Sequence, residues 1–175
     1  MTDDRRPSRL NSTEIIPWRS RNLPRPLDAL IVPEDTYLIL QAGTEKLDPD
    51  ATPLDLWASL EKAARTEEQS LGSVIIADGK ERGVKYLATV VVYDFEADPI
   101  CRKEIVLAGL RNALGALAER DCEKIGIFPL GTMPGGISQE EYFAALDEAG
   151  CPGGGSPLTL YLLGPEAASG RDPDS

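Results

Sequence analysis

The chain alternates short apolar runs with stretches in which apolar positions recur at helical spacing. Residues 27–32, LDALIV, form a continuous apolar run that predicts a buried strand ended by Pro33. Residues 36–41, TYLILQ, predict a second strand, joined to the first by a turn at Glu34-Asp35. Residues 54–68 carry Leu56, Leu60, Ala63 and Ala64 at helical spacing, with Thr52 as N-cap and Pro53 at the first helical position. Residues 71–77 predict a short strand stopped by the turn pair Asp78-Gly79. Residues 85–93, KYLATVVVY, are β-branched and apolar nearly throughout, the pattern of a central strand buried on both faces.

From Asp98-Pro99 the pattern predicts the longest helix, reaching about Arg120, with Val106, Leu107, Leu110, Ala113, Leu114 and Leu117 on one stripe. Residues 125–128 then predict a buried strand. Pro129 stops it, and Gly131, Thr132, Met133, Pro134, Gly135 and Gly136 make a tight loop. Ser138 with Glu141 three residues on is a capping box opening a helix that ends at Gly150. The Gly-rich CPGGGS reads as a flexible connection, and residues 157–163, PLTLYLL, predict the last strand. No internal repeat is present. This order implies an α/β domain with three layers around a largely buried mixed sheet. The expected organisation is an extended N-terminal arm over 1–26, an α/β domain over 27–164 and a disordered tail over 165–175. Within the arm, Ile15, Ile16 and Trp18 are expected to pack against the body.

Composition narrows the function more by absence than by presence. The 175 residues contain no histidine, which removes Ser-His-Asp and Cys-His catalysis and His-ligated zinc. Cys101, Cys122 and Cys151 are scattered and lack metal-ligand spacing, so they read as reduced thiols in a cytoplasmic protein. No metal or cofactor is expected. A formal net charge of −11 argues against general nucleic-acid binding. No apolar run is long enough to span a membrane, and the N-terminus has no secretory h-region. Residues 1–26 hold six Arg against Asp3, Asp4 and Glu14, so the arm could meet a protein partner, although a solvated tail accounts for it as well.

The strand–Gly-rich loop–helix order at 125–141 carries the candidate chemistry. Backbone N–H groups at such a loop and at the helix start after it can converge on an anion. Gly131, Gly135 and Gly136 would let a phosphate approach the main chain closely. The same glycines also suit a tight connection that binds nothing. In a parallel sheet, ligands favour the carboxyl ends of strands, where this loop lies. Catalytic residues are not identifiable. The carboxylates Asp35, Asp94 and Glu96 could activate a water, but no spacing fixes their mutual distance.

From residue 85 to 163 the chain resembles the macro domain, the ADP-ribose-binding α/β/α module. The resemblance is carried by a long β-branched strand, then VLAGLRNALGALAERDCEKIGIFPLGTMPGGISQEEYFAAL, then an apolar terminal strand. Residues 28–35, DALIVPED, are similar to the family's first-loop strand, which usually reads D-A-I-V-N-A-A-N. The N-terminal region of leucine aminopeptidases shares a similar fold, but their metal-binding catalytic half has no counterpart here. The resemblance implies a three-layer α/β/α macro-domain-like fold with a central mixed sheet, and ADP-ribose or a related nucleotide as ligand. It implies ligand contacts from Gly131, Thr132, Met133, Gly135, Gly136 and Ile137, with Asp28 at the adenine. The first phosphate loop is degenerate. Asp35 stands where the family has Asn, and TYLILQAGTEK replaces the run of glycines. A carboxylate beside a diphosphate is repulsive, so the alternative is a non-enzymatic macro-like scaffold that has lost its ligand and acts as an interaction module.

Overall fold

The computed structural model describes residues 13–20, 22–40, 67–150 and 157–164. Their strands are β1 (Thr13–Trp18), β2 (Ala29–Asp35), β3 (Val74–Asp78), β4 (Tyr86–Tyr93), β5 (Lys124–Ile127) and β6 (Leu158–Leu163). The helices are α1 (Lys103–Ala118) and α2 (Gln139–Ala149), and a 3-10 turn spans Lys80–Arg82. Among the described residues the strands form one sheet in the order β1-β6-β5-β2-β4-β3. All neighbours pair in parallel except β3, which runs antiparallel to β4, so the sheet is mixed. The architecture is α/β.

Two apolar clusters cover the two faces of the sheet. On one, Ala29, Ile31, Val90, Val92, Ile125 and Ile127 meet Val106, Leu110, Leu114 and Leu117 of α1 and Tyr142 and Leu146 of α2. Of the expected stripe on α1 only Leu107 stays half-buried. Gly109 sets the approach of α1 to the sheet: a Cβ there would stand 2.4 Å from Val90 Cγ1. On the other face, Leu27, Leu30, Val32, Phe128 and Leu163 gather with Trp18 and Tyr161. Buried along most of its length, β4 bears out the central strand read from its continuous apolar run.

Several elements differ from the sequence reading. β2 does not end at Pro33 but runs on to Asp35. In a strand, a residue's N–H and C=O leave on the same side, alternating along the chain. Ile31 faces β5, its C=O accepting from the Phe128 N–H at 3.0 Å. Pro33 faces the same way, past the last rung of that pair, where no N–H is needed. The described part of the strand expected over 36–41 is not a strand: Thr36 to Leu38 turn, and Ile39 and Leu40 open a helix. Glu34 and Asp35, read as a turn, are the end of β2 and the cap of that helix.

α1 starts at Lys103 rather than at Asp98-Pro99, because the intervening segment ties β4 to the Gly-rich loop. The Asp94 N–H donates to the Ile100 C=O (2.8 Å), and the Ile100 N–H donates to the Gly135 C=O (3.1 Å). β3 starts at Val74, since Leu71 and Gly72 form a turn. Within the expected arm, Thr13–Trp18 is the edge strand β1, paired with β6, and Trp18 meets Tyr161 edge-on at 5.8 Å. The helix expected over 54–68 lies outside the described residues up to 66, and Glu67 and Glu68 are not helical. Residues 1–12, CPGGGS at 151–156 and 165–175 also lie outside them. Among the described residues no helix is long and apolar enough to cross a membrane.

Candidate functional site

Parallel strands bring their carboxyl ends to one edge of the sheet. Here β2 delivers Glu34 to Leu40, β4 delivers Tyr93 to Glu96, and β5 delivers the loop from Phe128 to Ile137. The loop connects β5 to α2, whose start is fixed as its sequence predicts. Ser138 Oγ accepts the Glu141 N–H (3.1 Å), and Glu141 Oε2 accepts the Ser138 N–H (2.8 Å). Both orphan donors of that helix end are thereby satisfied.

Inside the loop, the glycines answer to the protein rather than to open space. Gly136 donates to the Met133 C=O (2.8 Å), Ile137 donates to the Gly131 C=O (2.8 Å), and a Cβ at Gly136 would stand 2.1 Å from the Gly131 oxygen. Gly131 has φ +77°, and its missing side chain would point at Cys101 Sγ and Val106 Cγ2, both at 2.7 Å. The Ile137 side chain is buried in the core beneath the loop. Of the expected contacts, Met133 and Gly135 are exposed, and Thr132 and Gly136 half-buried.

Beneath the loop sits Tyr93, 1% exposed. Its Oη takes the Met133 N–H at 3.3 Å, and the Gly131 and Thr132 amides also act on it. Burial raises the phenol's pKa above its ordinary value; those three amides pull the other way and are outweighed. The Met133 amide, turned toward this internal hydroxyl, is turned away from an external anion. Cys101, next to the N-cap of α1, is a buried thiol pushed up to about 11 by desolvation, so at neutral pH it is a packing group.

The end of β2 carries two buried carboxylates, Glu34 and Asp35, each 1% exposed. Asp35 Oδ1 accepts from the Tyr37 N–H (2.8 Å), and Oδ2 from Ile39 (2.8 Å) and Leu40 (3.0 Å). Glu34 Oε1 accepts from Asp35 (3.0 Å) and Leu40 (2.7 Å). These are the donors a helix start leaves without intrahelical partners. Asp35 is therefore a cap and not a free base. Asp94 Oδ1 likewise accepts the Glu96 N–H at 3.0 Å. No group of three or more potential metal ligands occurs among the described residues.

Asp28 does not belong to this edge. It precedes β2, and its Oδ2 accepts from the Glu123 (2.9 Å) and Lys124 (3.0 Å) amides at the start of β5, with Lys85 Nζ 3.3 Å from Oδ1. Lys124 opens β5, whereas Gly131 lies in the loop beyond its other end. Burial acts to raise the Asp28 pKa, but the two amides and Lys85 outweigh it and hold the pKa below the ordinary value. The residue staples strand starts together, at the opposite end of the sheet from the loop that carries the other expected ligand contacts.

The fold and site define an α/β domain with a loop-built surface at the carboxyl ends of its parallel strands. No protein-family model matches the sequence, and no curated protein does either. Solved structures do. The Oceanobacillus iheyensis macrodomain with MES bound matches at TM-score 0.59 and 17% identity, over 91% of this chain and 87% of that one. A glycine-to-valine mutant of the same macrodomain, solved with ADPR, matches at 0.57 and 18%, over 91% and 89%. The macrodomain of Mycobacterium tuberculosis DarG matches at 0.60 and 18%, over 86% and 98%. The fold of this chain is the macrodomain fold.

Sequence reasoning missed the roles of Tyr93 and Glu34. Glu34 and Asp35 had a local signal, an acidic pair directly before a run of apolar residues, which is an N-cap pattern. Tyr93 had none, because its partner lies forty residues on.

Proposed function

We propose that this macrodomain-fold chain is a binding module without hydrolase chemistry, its nucleotide site rebuilt into internal contacts. The observation that carries this reading is the buried Tyr93 hydroxyl taking the Met133 N–H of the loop from within. The two carboxylates that end β2 act in the same direction. Each hydrogen bond from an amide to a charged phosphate contributes about 1.5–3 kcal/mol, and association costs on the order of 4–15 kcal/mol in lost freedom. A loop whose Met133, Gly136 and Ile137 amides already have internal acceptors offers little toward that cost. The test is calorimetric titration with ADP-ribose, with AMP and inorganic phosphate as controls. Silence with all three is expected.

A second reading keeps ADP-ribose or a related nucleotide on Thr132, Met133 and Gly135, with Gly131 and Gly136 shaping the loop. It draws on the fold and on the ADPR held by the O. iheyensis mutant. Heat selective for ADP-ribose would establish it and remove the first. Under either reading the Arg-bearing N-terminal stretch, residues 1–26, is a further contact for a protein partner. A cytoplasmic location suits the free buried thiols of Cys101 and Cys122.

A further inference from the structure

Among the described residues six large apolar side chains are exposed, and four stand at the carboxyl end of the sheet. Ile39 follows β2, Phe95 follows β4, Met133 lies on the loop after β5, and Leu71 precedes the antiparallel β3. They are exposed by 37%, 46%, 39% and 39% respectively. Hydrogen bonds join the segments that carry them. The Thr36 N–H donates to the Tyr93 C=O (3.0 Å), the Gln69 N–H to the Thr36 C=O (2.7 Å), and the Met133 N–H to Tyr93 Oη. Phe95 stacks on Tyr93 with ring centroids 5.8 Å apart and planes 6° from parallel. One face of Phe95 is thereby covered, and the opposite face meets solvent.

The surroundings of this patch are acidic. Glu68 and Asp94 line, with Leu71 and Thr36, a hollow of about 310 Å³, and no Lys or Arg lines it among the described residues. Glu96 is exposed beside Phe95. Glu68 above all, then Glu96 and, after burial, Asp94 raise the pKa of the Tyr37 phenol, so the three carboxylates face one region.

We propose that this end of the sheet docks a basic, apolar-bearing polypeptide segment of a partner protein. Its Arg or Lys heads meet Glu68, Asp94 and Glu96, one guanidinium lies over the open face of Phe95, and its apolar side chains cover Ile39, Leu71 and Met133. The proposal rests on the binding-module reading and names the partner's chemistry. Charge selects this occupant. A second copy would set the same carboxylates against each other at a net charge of −11 each, and an anionic polymer would be repelled.

The test is fluorescence anisotropy of a short labelled peptide of alternating arginine and leucine, with a glutamate-for-arginine counterpart, on the full chain. The basic peptide is expected to bind, more weakly as salt rises, while the acidic one stays silent. Phe95→Ser, and separately Glu68→Gln with Glu96→Gln, should each weaken binding on the order of tenfold. These substitutions are at exposed positions, and unchanged thermal melts show that the variants fold. Equal binding by Phe95→Ser, no binding of the basic peptide, or self-association abolished by Phe95→Ser would each overturn the docking surface. ADP-ribose titrated into the same protein separates the claims. A silent peptide with a silent nucleotide overturns the surface alone, whereas a nucleotide that binds overturns the reading beneath it too.

Discussion

Replacing Asp35 with Ala tests whether the end of β2 serves the fold. The carboxylate accepts three backbone N–H groups at 2.8, 2.8 and 3.0 Å. One donor, Leu40, keeps a second acceptor in Glu34 Oε1 at 2.7 Å. Two donors, Tyr37 and Ile39, lose the acceptor that Asp35 supplied. Tyr37 is half-buried and Ile39 exposed, so water restores part of the loss, and about 1.5 kcal/mol for each is the appropriate scale. Asp35→Ala should therefore destabilise by about 3 kcal/mol, above the usual range of N-cap losses because two donors are stranded at once. For a chain of this size that lowers Tm by about 6–12 °C. Asp35→Asn keeps one acceptor oxygen and turns an NH₂ toward an amide, so it should fall between wild type and Ala. Urea denaturation followed by circular dichroism reads both. A midpoint for Asp35→Ala within error of wild type, at unchanged m-value, would refute the capping role and return Asp35 to the list of groups available for chemistry.

Two further outcomes follow from the core. Gly109→Ala gains about 1 kcal/mol of helix propensity but drives a Cβ to 2.4 Å from the stiff, β-branched Val90. Overpacking costs about 1–3 kcal/mol, so chemical denaturation should show net destabilisation; a more stable variant would contradict the close approach of α1 to the sheet. Burial raises the pKa of Cys101 to about 11 from an ordinary value of 9.0, so above pH 9 the unfolded chain releases this proton before the folded one does. Stability should fall as pH rises from about 9 to 11, by up to roughly 2–3 kcal/mol from this group. Cys101→Ala should flatten that part of the profile in melts taken across the range, and an unchanged slope would show that the thiol is not buried.

Local signals were legible and long-range ones were not. The capping box of Ser138 and Glu141 is a spacing of three, and it stands as read. β4 and β6 announced themselves by continuous apolar runs. TYLILQ misled because its residues favour strands, while the acidic pair before it turns the chain into a helix by accepting the amides of Tyr37, Ile39 and Leu40. Pro17 hid β1, which is tolerated because that strand is an edge. Asp28 was grouped with the loop by motif alignment alone, whereas a residue before a parallel strand lies at the opposite end from a loop after one. The loop's glycines were found, but their reason was not. Gly131 and Gly136 make room for Cys101, Val106 and the loop's own carbonyls, contacts that only the assembled fold brings together.

The central claim is that the loop after β5, whose Met133, Gly136 and Ile137 amides bond internally, takes no nucleotide. It is tested most directly by ¹⁵N–¹H correlation spectra of the full chain titrated with ADP-ribose, read at Gly131, Thr132, Met133, Gly135 and Gly136. The account predicts that these cross-peaks stay in place to millimolar nucleotide. Saturable shifts confined to them would contradict it and identify the loop as a working nucleotide site.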